Sequence, residues 1–261
     1  MNSQQSIHRV SHEIKRRKLQ VLRVTDITPR MRRITLHGPE LKGFISLGTD
    51  DHVKLLFATS PEEQAALENF TPGPNASDGP RPAMRDYTPR RYDAASGELD
   101  IDFVLHGDGP AATWAAQAQA GQFLYIAGPR GSMIVPDMFD SYLLIGDETA
   151  LPAIGRRLEE LAAHRRALVV VEIEDNAERQ ALESQAQVEV VWVVRGERDL
   201  LEVTRGLTLP EGSLYAWVAT ESALSRKVRR VLLDEFKLDE AAVKAAGYWR
   251  LEGSGEESSS R

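Results

Sequence analysis

Arg85, Tyr87 and Thr88, in the run Arg85-Asp86-Tyr87-Thr88-Pro89-Arg90, are residue types from which a site for a phosphorylated ring compound can be built. On an extended chain residues two apart share a face, so Arg85 and Tyr87 project together. An arginine pairs with phosphate, and an aromatic side chain lies against a flat ring system. Thr88 adds a hydroxyl and a backbone N–H that can reach a ring nitrogen. Pro89, lacking an N–H, suits a strand end or an edge. These are the demands of a flavin nucleotide. Taken alone, the run is better read as an ordinary strand with a surface arginine, and the flavin reading depends on agreement from other segments.

Agreement comes from His106-Gly107-Asp108-Gly109-Pro110-Ala111-Ala112-Thr113-Trp114. Two glycines permit close backbone approach, and the helix that follows offers free N–H groups to an anion such as a diphosphate. A plain strand-to-helix turn would look the same. A third segment, Ile145-Gly146-Asp147-Glu148-Thr149-Ala150-Leu151-Pro152, runs from an apolar strand through glycine into a helix, the place where open α/β sheets bind nucleotides. It lacks the full Gly-x-Gly-x-x-Gly pattern, and a helix capped by acidic first-turn residues is an equal reading. Asp147 and Glu148 suit a phosphate site only if their carboxylates face elsewhere. Lys54 inside an apolar strand, Arg130 in a Gly-Pro-Arg-Gly turn and Arg250 after two aromatics form a scattered set of cations. Each taken singly reads as a solvated surface charge.

The elements that must position these residues change character near Pro136. Before it, the pattern predicts short strands at Leu19–Thr25, Met31–His37, His52–Thr59, Arg85–Arg91, Glu98–His106 and Gln122–Ala127, with a helix over Ala111–Gln119. In the run from Glu98, Leu99, Ile101, Phe103 and Leu105 face one way, opposite Asp100 and Asp102. Ser60 to Pro82, with five prolines and two glycines, reads as a long loop. Short strands with one helix inserted before the last suggest a small antiparallel barrel. After Pro136, apolar strands at Tyr142–Ile145, Ala167–Ile173, Val188–Val194 and Leu214–Ala219 alternate with helices over Leu151–His164 and Ser222–Phe236, which argues for a parallel sheet covered by helices. A last helix is expected over Asp239–Ala246. The expected division is 1–136, 137–250 and a disordered tail over 251–261.

Composition narrows the chemistry. The 261 residues suit one large or two smaller domains, and 42% hydrophobic with 27% charged residues is ordinary for a globular protein. A net charge of −7 argues against a general nucleic-acid binder. The sequence has no cysteine, which excludes disulfides, thiolate metal sites, iron–sulfur clusters and a catalytic thiol. No protein metal site is expected. No stretch is long and apolar enough to span a membrane, and Met1 to Gln20 has no apolar signal core, so the cytoplasm is the expected location.

The segments RDYTPR, DFVLHGDGPAATWAAQAQAG, GPRGS, GDETALPAI and AAGYWR, in this order from about Leu19 to Arg250, resemble the siderophore-interacting protein family, the flavin-dependent ferric-siderophore reductases of the ferredoxin-reductase-like superfamily. The resemblance implies a two-domain β plus α/β chain: an N-terminal antiparallel β-barrel that binds FAD and a C-terminal parallel α/β domain that binds NADH or NADPH. It implies that Arg85 meets the FAD phosphates, Tyr87 packs on the isoalloxazine and Thr88 bonds near N5. Val104, His106, Gly109, Ala111, Thr113 and Trp114 complete that site. Asp147, Glu148, Thr149 and Ala150, with Thr220 and Glu221, belong to the nicotinamide-nucleotide site. Lys54, Arg130 and Arg250 are implied as a basic pocket for an anionic ferric siderophore. The cysteine-containing nucleotide-domain motif and the terminal aromatic of the wider superfamily are missing, and Tyr248-Trp249-Arg250 stands instead.

The function expected is NAD(P)H-dependent reduction of chelated Fe3+ to Fe2+, which loosens its hold on hard oxygen donors and releases iron. A flavin-containing siderophore carrier, or a reductase of free flavin, ferredoxin or quinone, are the alternatives. Glu172-Ile173-Glu174-Asp175 at a strand end leans toward NADH, while Arg179, Arg195 and Arg198 leave NADPH open. A monomer is expected, without a nucleic-acid partner or membrane insertion.

Overall fold

A computed structural model describes residues 6–69 and 82–251. Most of the expected tail (252–261) and part of the expected Ser60–Pro82 loop (70–81) lie outside the described residues. The chain divides into two compact units: Met1–Met138 with Pro152–Glu160 and Ala177–Glu183, and Phe139–Leu151 with Leu161–Asn176 and Ser184–Arg261.

In the first unit the strands are β1 (His8–Ser11), β2 (Arg16–Thr28), β3 (Met31–His37), β4 (Val53–Phe57), β5 (Ala83–Tyr87), β6 (Pro89–Asp93), β7 (Glu98–Val104), β8 (Phe123–Ala127) and β9 (Gly131–Ile134). Seven of them form one antiparallel sheet in the order β5-β4-β8-β2-β3-β7-β6, and β1 pairs with β9 in a separate two-stranded ribbon. The edge strands β5 and β6 are consecutive in the chain, joined only by Thr88. The sheet must therefore curl until its two edges approach, which makes it the barrel that the strand pattern suggests. Thr88 lies at that seam and is buried. The alternation read in β7 holds: Leu99, Ile101 and Phe103 are fully buried in the barrel core. Asp100 and Asp102, facing the other way, are buried too, because Arg91 and Thr35 bond Asp100 (2.8 and 2.5 Å) and Arg33 bonds Asp102 (2.7 and 2.8 Å).

Helix α1 (Pro61–Asn69) stands where a loop was expected; its Leu67 packs with Leu56, Tyr125 and Ala127 on the outer face of the barrel. Arg16 donates to the carbonyls of Leu67 and Glu68 (2.5 and 2.8 Å), satisfying the open C-terminal end of that helix. Helix α2 (Pro110–Gln117) carries Pro110 in its first turn and buries Ala111 and Ala115 in the barrel core. The unit also holds most of helix α3 (Leu151–Glu160). Arg156 donates to the carbonyl of Pro89 (3.0 Å), and Arg90 forms a two-bond ion pair with Glu159 (2.5 and 3.1 Å). Glu178 accepts from the Thr28 hydroxyl and from the amide of Arg30, which ties the 177–183 segment to the end of β2.

The second unit is built on β10 (Ser141–Asp147), β11 (Arg166–Ile173), β12 (Gln187–Val194), β13 (Leu214–Glu221) and β14 (Val243–Trp249), with helices α4 (Leu200–Arg205) and α5 (Ser222–Arg230). All neighbours are parallel, in the order β12-β11-β10-β13-β14. The helix expected over Asp239–Ala246 is instead a single 3₁₀ turn, Glu240–Ala242, followed by β14. The alanine-rich run favours helix locally, but pairing of residues 243–249 with β13 overrides that preference. Helix α5 continues as a π-turn over Val231–Glu235, so the expected Ser222–Phe236 helix is present with a wider last turn. The short elements β1, β9 and α4 were not expected; none is long enough to display a period.

Candidate functional site

On β5 the inner-face residues are Ala83, Arg85 and Tyr87, opposite Phe57, Leu55 and Val53 of β4. Arg85 and Tyr87 thus share a face, as their spacing requires. Arg85 is exposed there, and among the described residues its guanidinium donates only to the neighbouring carbonyl of Met84, from Nη1 (2.8 Å). Tyr87 is more deeply set. Its ring lies 4.6 Å from that of Phe103, and burial pushes its hydroxyl up to about 12. Trp114 packs on Phe103 (5.7 Å) and Phe57 (5.9 Å), so most of its ring serves the barrel core. Val104 ends β7. His106 follows it, and Thr113 is exposed on the first turns of α2.

The turn between β7 and α2 fits a diphosphate. Gly107 has φ +60°, and a Cβ added to Gly107 or Gly109 would meet nothing within 4 Å, so backbone can be approached closely at both. Gly109 is the N-cap of α2 and offers no side chain to the first turn. The N–H groups near Ala111 are thus left for another acceptor. A cationic side chain, an uncapped helix N-terminus and two open glycines in one barrel match the donor set that FAD needs. Arg85, Gly109 and Ala111 would hold its phosphates, and Tyr87 and Thr88 would lie beside its ring.

In the second unit the chain proceeds from β10 outward through β11 and β12, then returns to place β13 and β14 on the other side. The topological switch point therefore falls between β10 and β13, and nucleotide crevices form outside the carboxyl ends of strands at such a point. Asp147 ends β10; Thr220 and Glu221 end β13. The two acidic residues face inward. Asp147 is buried and accepts from the Thr149 amide (2.9 Å) and hydroxyl (2.5 Å), the Thr220 hydroxyl (2.9 Å) and Trp249 Nε1 (2.7 Å). Glu148 accepts from the Glu174 amide (2.5 Å) and from Arg195 (3.1 Å). Glu221 caps α5 through the amides of Ala223 and Leu224 (2.6 and 2.9 Å), and Ala150 is fully buried. Asp147, Glu148 and Glu221 thus spend their charge on protein groups at the strand ends, which meets the condition under which a phosphate could lie there.

Arg195, at the end of β12, also bonds Glu172 (3.1 and 3.2 Å) and Glu174 (2.5 Å). Burial pulls its guanidinium down, but Glu148, Glu174 and Glu172 together hold it above its ordinary value. Burial pushes the carboxyls of Glu148 and Glu172 up, an effect that Arg195 opposes. Its three partners come from the ends of two other strands, Glu148 after β10 and Glu172 with Glu174 at the end of β11, so no local pattern shows them.

The three expected substrate cations differ in setting. Lys54 lies on the outer face of β4, opposite to that of Arg85 and Tyr87, and is ion-paired with Asp86 at 2.6 Å. Its charge is therefore already matched by Asp86 at the surface of the unit. Arg130 is exposed in the turn between β8 and β9 of the same unit, and Arg250 is exposed just after β14 in the other. Among the described residues no cluster of three or more histidines, aspartates or glutamates could hold a metal ion, and no helix is long and apolar enough to cross a membrane.

Residues 20–133 match the siderophore-interacting FAD-binding domain, and residues 139–252 match the siderophore-interacting protein domain. The chain belongs to the siderophore-interacting protein family. Its fold is ferredoxin-reductase-like. It is 37% identical to the NADPH-dependent ferric-chelate reductase of Escherichia coli over 92% of this chain and 95% of that protein. It is 31% identical to the ferric vibriobactin reductase ViuB of Vibrio cholerae, over 92% and 93%. Among solved structures, a siderophore utilization protein from T. fusca superposes with a TM-score of 0.83 at 35% identity, over 97% of this chain and 99% of that one.

Proposed function

We propose that this protein is an FAD-containing oxidoreductase that uses NAD(P)H to reduce the iron of ferric siderophores and so release it. The observation that carries this reading is similarity along nearly the whole chain to two proteins named as ferric-chelate and ferric vibriobactin reductases. The geometry supports it in both units. Arg85 and the open turn before α2 suit the diphosphate of FAD, and the switch point between β10 and β13 suits a dinucleotide. Bound FAD would accept a hydride from NAD(P)H and pass its two electrons on singly, one to each of two ferric ions. The residues' part is to bind and orient. Tyr87 and Thr88 present a fixed, largely buried wall for the ring. Arg130 and Arg250 offer positive charge to an anionic chelate, against a net charge of −7 that would repel it.

The choice of nicotinamide is open to a direct comparison. Glu172 and Glu174 enclose Arg195 with excess negative charge, which favours a free ribose 2′-hydroxyl, whereas the Escherichia coli relative is named as NADPH-dependent. The ratio of kcat/KM for NADH and NADPH decides it. The same reading implies a monomer working in the cytoplasm with no nucleic-acid partner. The test is spectroscopic. The purified protein is expected to be yellow, to bleach anaerobically with NAD(P)H, and to recolour on adding a ferric siderophore while a ferrous-specific chelator develops its colour. Bleaching without recolouring would overturn the reductase reading and leave a siderophore carrier.

A further inference from the structure

A chain of side chains with no assigned role runs beneath the Gly128–Ser132 turn. Ser132 is buried, and its hydroxyl donates to Asp51 Oδ2 at 2.5 Å. Its one proton is thereby used, so it accepts from the amide of Leu47 (3.1 Å) and from His12 Nε2–H (2.8 Å). The bond network thus assigns the His12 proton to Nε2. Asp51 is also buried; the same Oδ2 accepts from the Ser46 hydroxyl (3.0 Å) and the Gly48 amide (3.1 Å), while Oδ1 has no partner among the described residues. Ser46 in turn accepts from Arg156 (3.0 Å), the residue whose guanidinium grips the carbonyl of Pro89.

The turn is held on both flanks. Arg17, buried in the barrel wall, donates to the carbonyls of Gly128 (3.1 Å), Lys15 (3.2 Å) and Glu40 (3.0 Å). The Gly128 amide donates to Lys15 (3.1 Å), and the His12 amide donates to the carbonyl of Arg130 itself (2.9 Å). A Cβ on Gly131 would come within 2.6 Å of the Val10 carbonyl, so only glycine lets β1 lie this close. Three of these bonds reach the backbone of the turn itself, at Gly128 and Arg130, the Ser132 hydroxyl anchors its far end, and the Arg130 side chain is left exposed in the middle. A buried carboxylate with a single accepting oxygen shared by three donors is costly to disturb, so it defines one position for the turn.

We infer that Asp51, Ser132 and His12 are positioning residues: they fix the turn that presents Arg130 and thereby set the affinity for an anionic ferric chelate without touching it. This rests on the proposed role of Arg130. The experiment uses the FAD-loaded protein and the gallium(III) complex of a tris-catecholate chelator, which carries the charge of the ferric complex but is not reduced. Its Kd is measured for wild type, Ser132→Ala, Arg130→Ala and the double variant, alongside KM and kcat with the ferric complex. Ser132→Ala is expected to raise Kd and KM about 3- to 10-fold, the loss of much of one charge-assisted contact, with kcat within about twofold and flavin reduction by NAD(P)H unchanged. In the Arg130→Ala background it is expected to add nothing, because nothing remains for it to position.

Full additivity in the double variant, or a Kd for Ser132→Ala equal to wild type while Arg130→Ala weakens binding, overturns the positioning role alone. An Arg130→Ala protein that binds as well as wild type overturns the role of Arg130, and the inference falls with it. If Ser132→Ala does not fold, His12→Ala, at the part-buried end of the network, carries the same comparison.

Discussion

At Tyr87 one side chain serves two demands. Its ring packs on the barrel core through Phe103, and in the proposed site its remaining surface, two residues after Arg85, would lie against a flat cofactor. Tyr87→Ala is therefore expected to cost about 2 to 4 kcal/mol of stability as well as FAD affinity, whereas Tyr87→Phe, which keeps the packing, is expected to change neither by much. Thermal unfolding with and without FAD separates the two losses; a Tyr87→Ala protein that unfolds at the wild-type temperature would remove Tyr87 from the core account. Arg85→Ala is expected to lose FAD with its apo stability intact, because the side chain is exposed and, among the described residues, bonds only its neighbour Met84. Arg195 presents the opposite case. Glu148 and Glu172 carry carboxyls raised by burial, so the folded state binds their protons more readily than the unfolded one, and their ionised forms cost stability above those pKa values. Arg195 offsets that cost. Arg195→Ala is expected to destabilise by about 1 to 3 kcal/mol at about pH 8, a figure reduced for its partial exposure, and the deficit should shrink toward about pH 5 as the carboxyls protonate. A deficit that grows as pH falls would refute this. Arg85 and Tyr87 were legible in sequence because their spacing is local; the Arg195 cluster was not, because three strand ends must assemble before it exists.

Among the elements, β14 shows most plainly where sequence reading stops. Val243-Lys-Ala-Ala-Gly-Tyr-Trp249 has helix-forming residues and no alternation, and its strand state comes from the open edge of β13 and from Trp249 bonding Asp147. Neither is visible locally. The apolar strands β10, β11 and β13, by contrast, were legible because burial on both faces leaves them continuous runs. Trp249→Phe keeps most of the ring but removes one of the donors to the buried Asp147 carboxylate, at an expected cost of about 1 to 2 kcal/mol. The loss should be local. Amide exchange over residues 243–249 is expected to quicken while the core of β10 and β11 stays protected, and KM for NAD(P)H is expected to rise because Asp147 and Thr149 move with it. Uniform acceleration across the whole sheet would show instead that Trp249 supports global stability only.

For the whole molecule, two electrostatic effects on an anionic chelate have opposite sign, and salt distinguishes them. The net charge of −7 repels the chelate, and screening that repulsion would make capture faster as salt is added. Local positive charge attracts it, and screening would make capture slower, since exposed charges lose most of their influence beyond about 8 to 10 Å near physiological ionic strength. The proposed function requires attraction to win in the native protein. The second-order rate constant for reduction of a ferric tris-catecholate is therefore expected to fall between about 0.01 and 0.3 M salt, over which the screening length contracts severalfold. Lys54 and Asp86, paired at 2.6 Å, sum to no net charge, so the double variant Lys54→Ala with Asp86→Ala should leave the slope nearly unchanged, whereas Arg130→Ala should flatten it. In the Lys54, Arg130 and Arg250 triple alanine variant only the overall repulsion remains, and the slope should reverse, with capture rising as salt is added. A triple variant that keeps the native rate and the native slope would show that the chelate is drawn to some other surface of the protein.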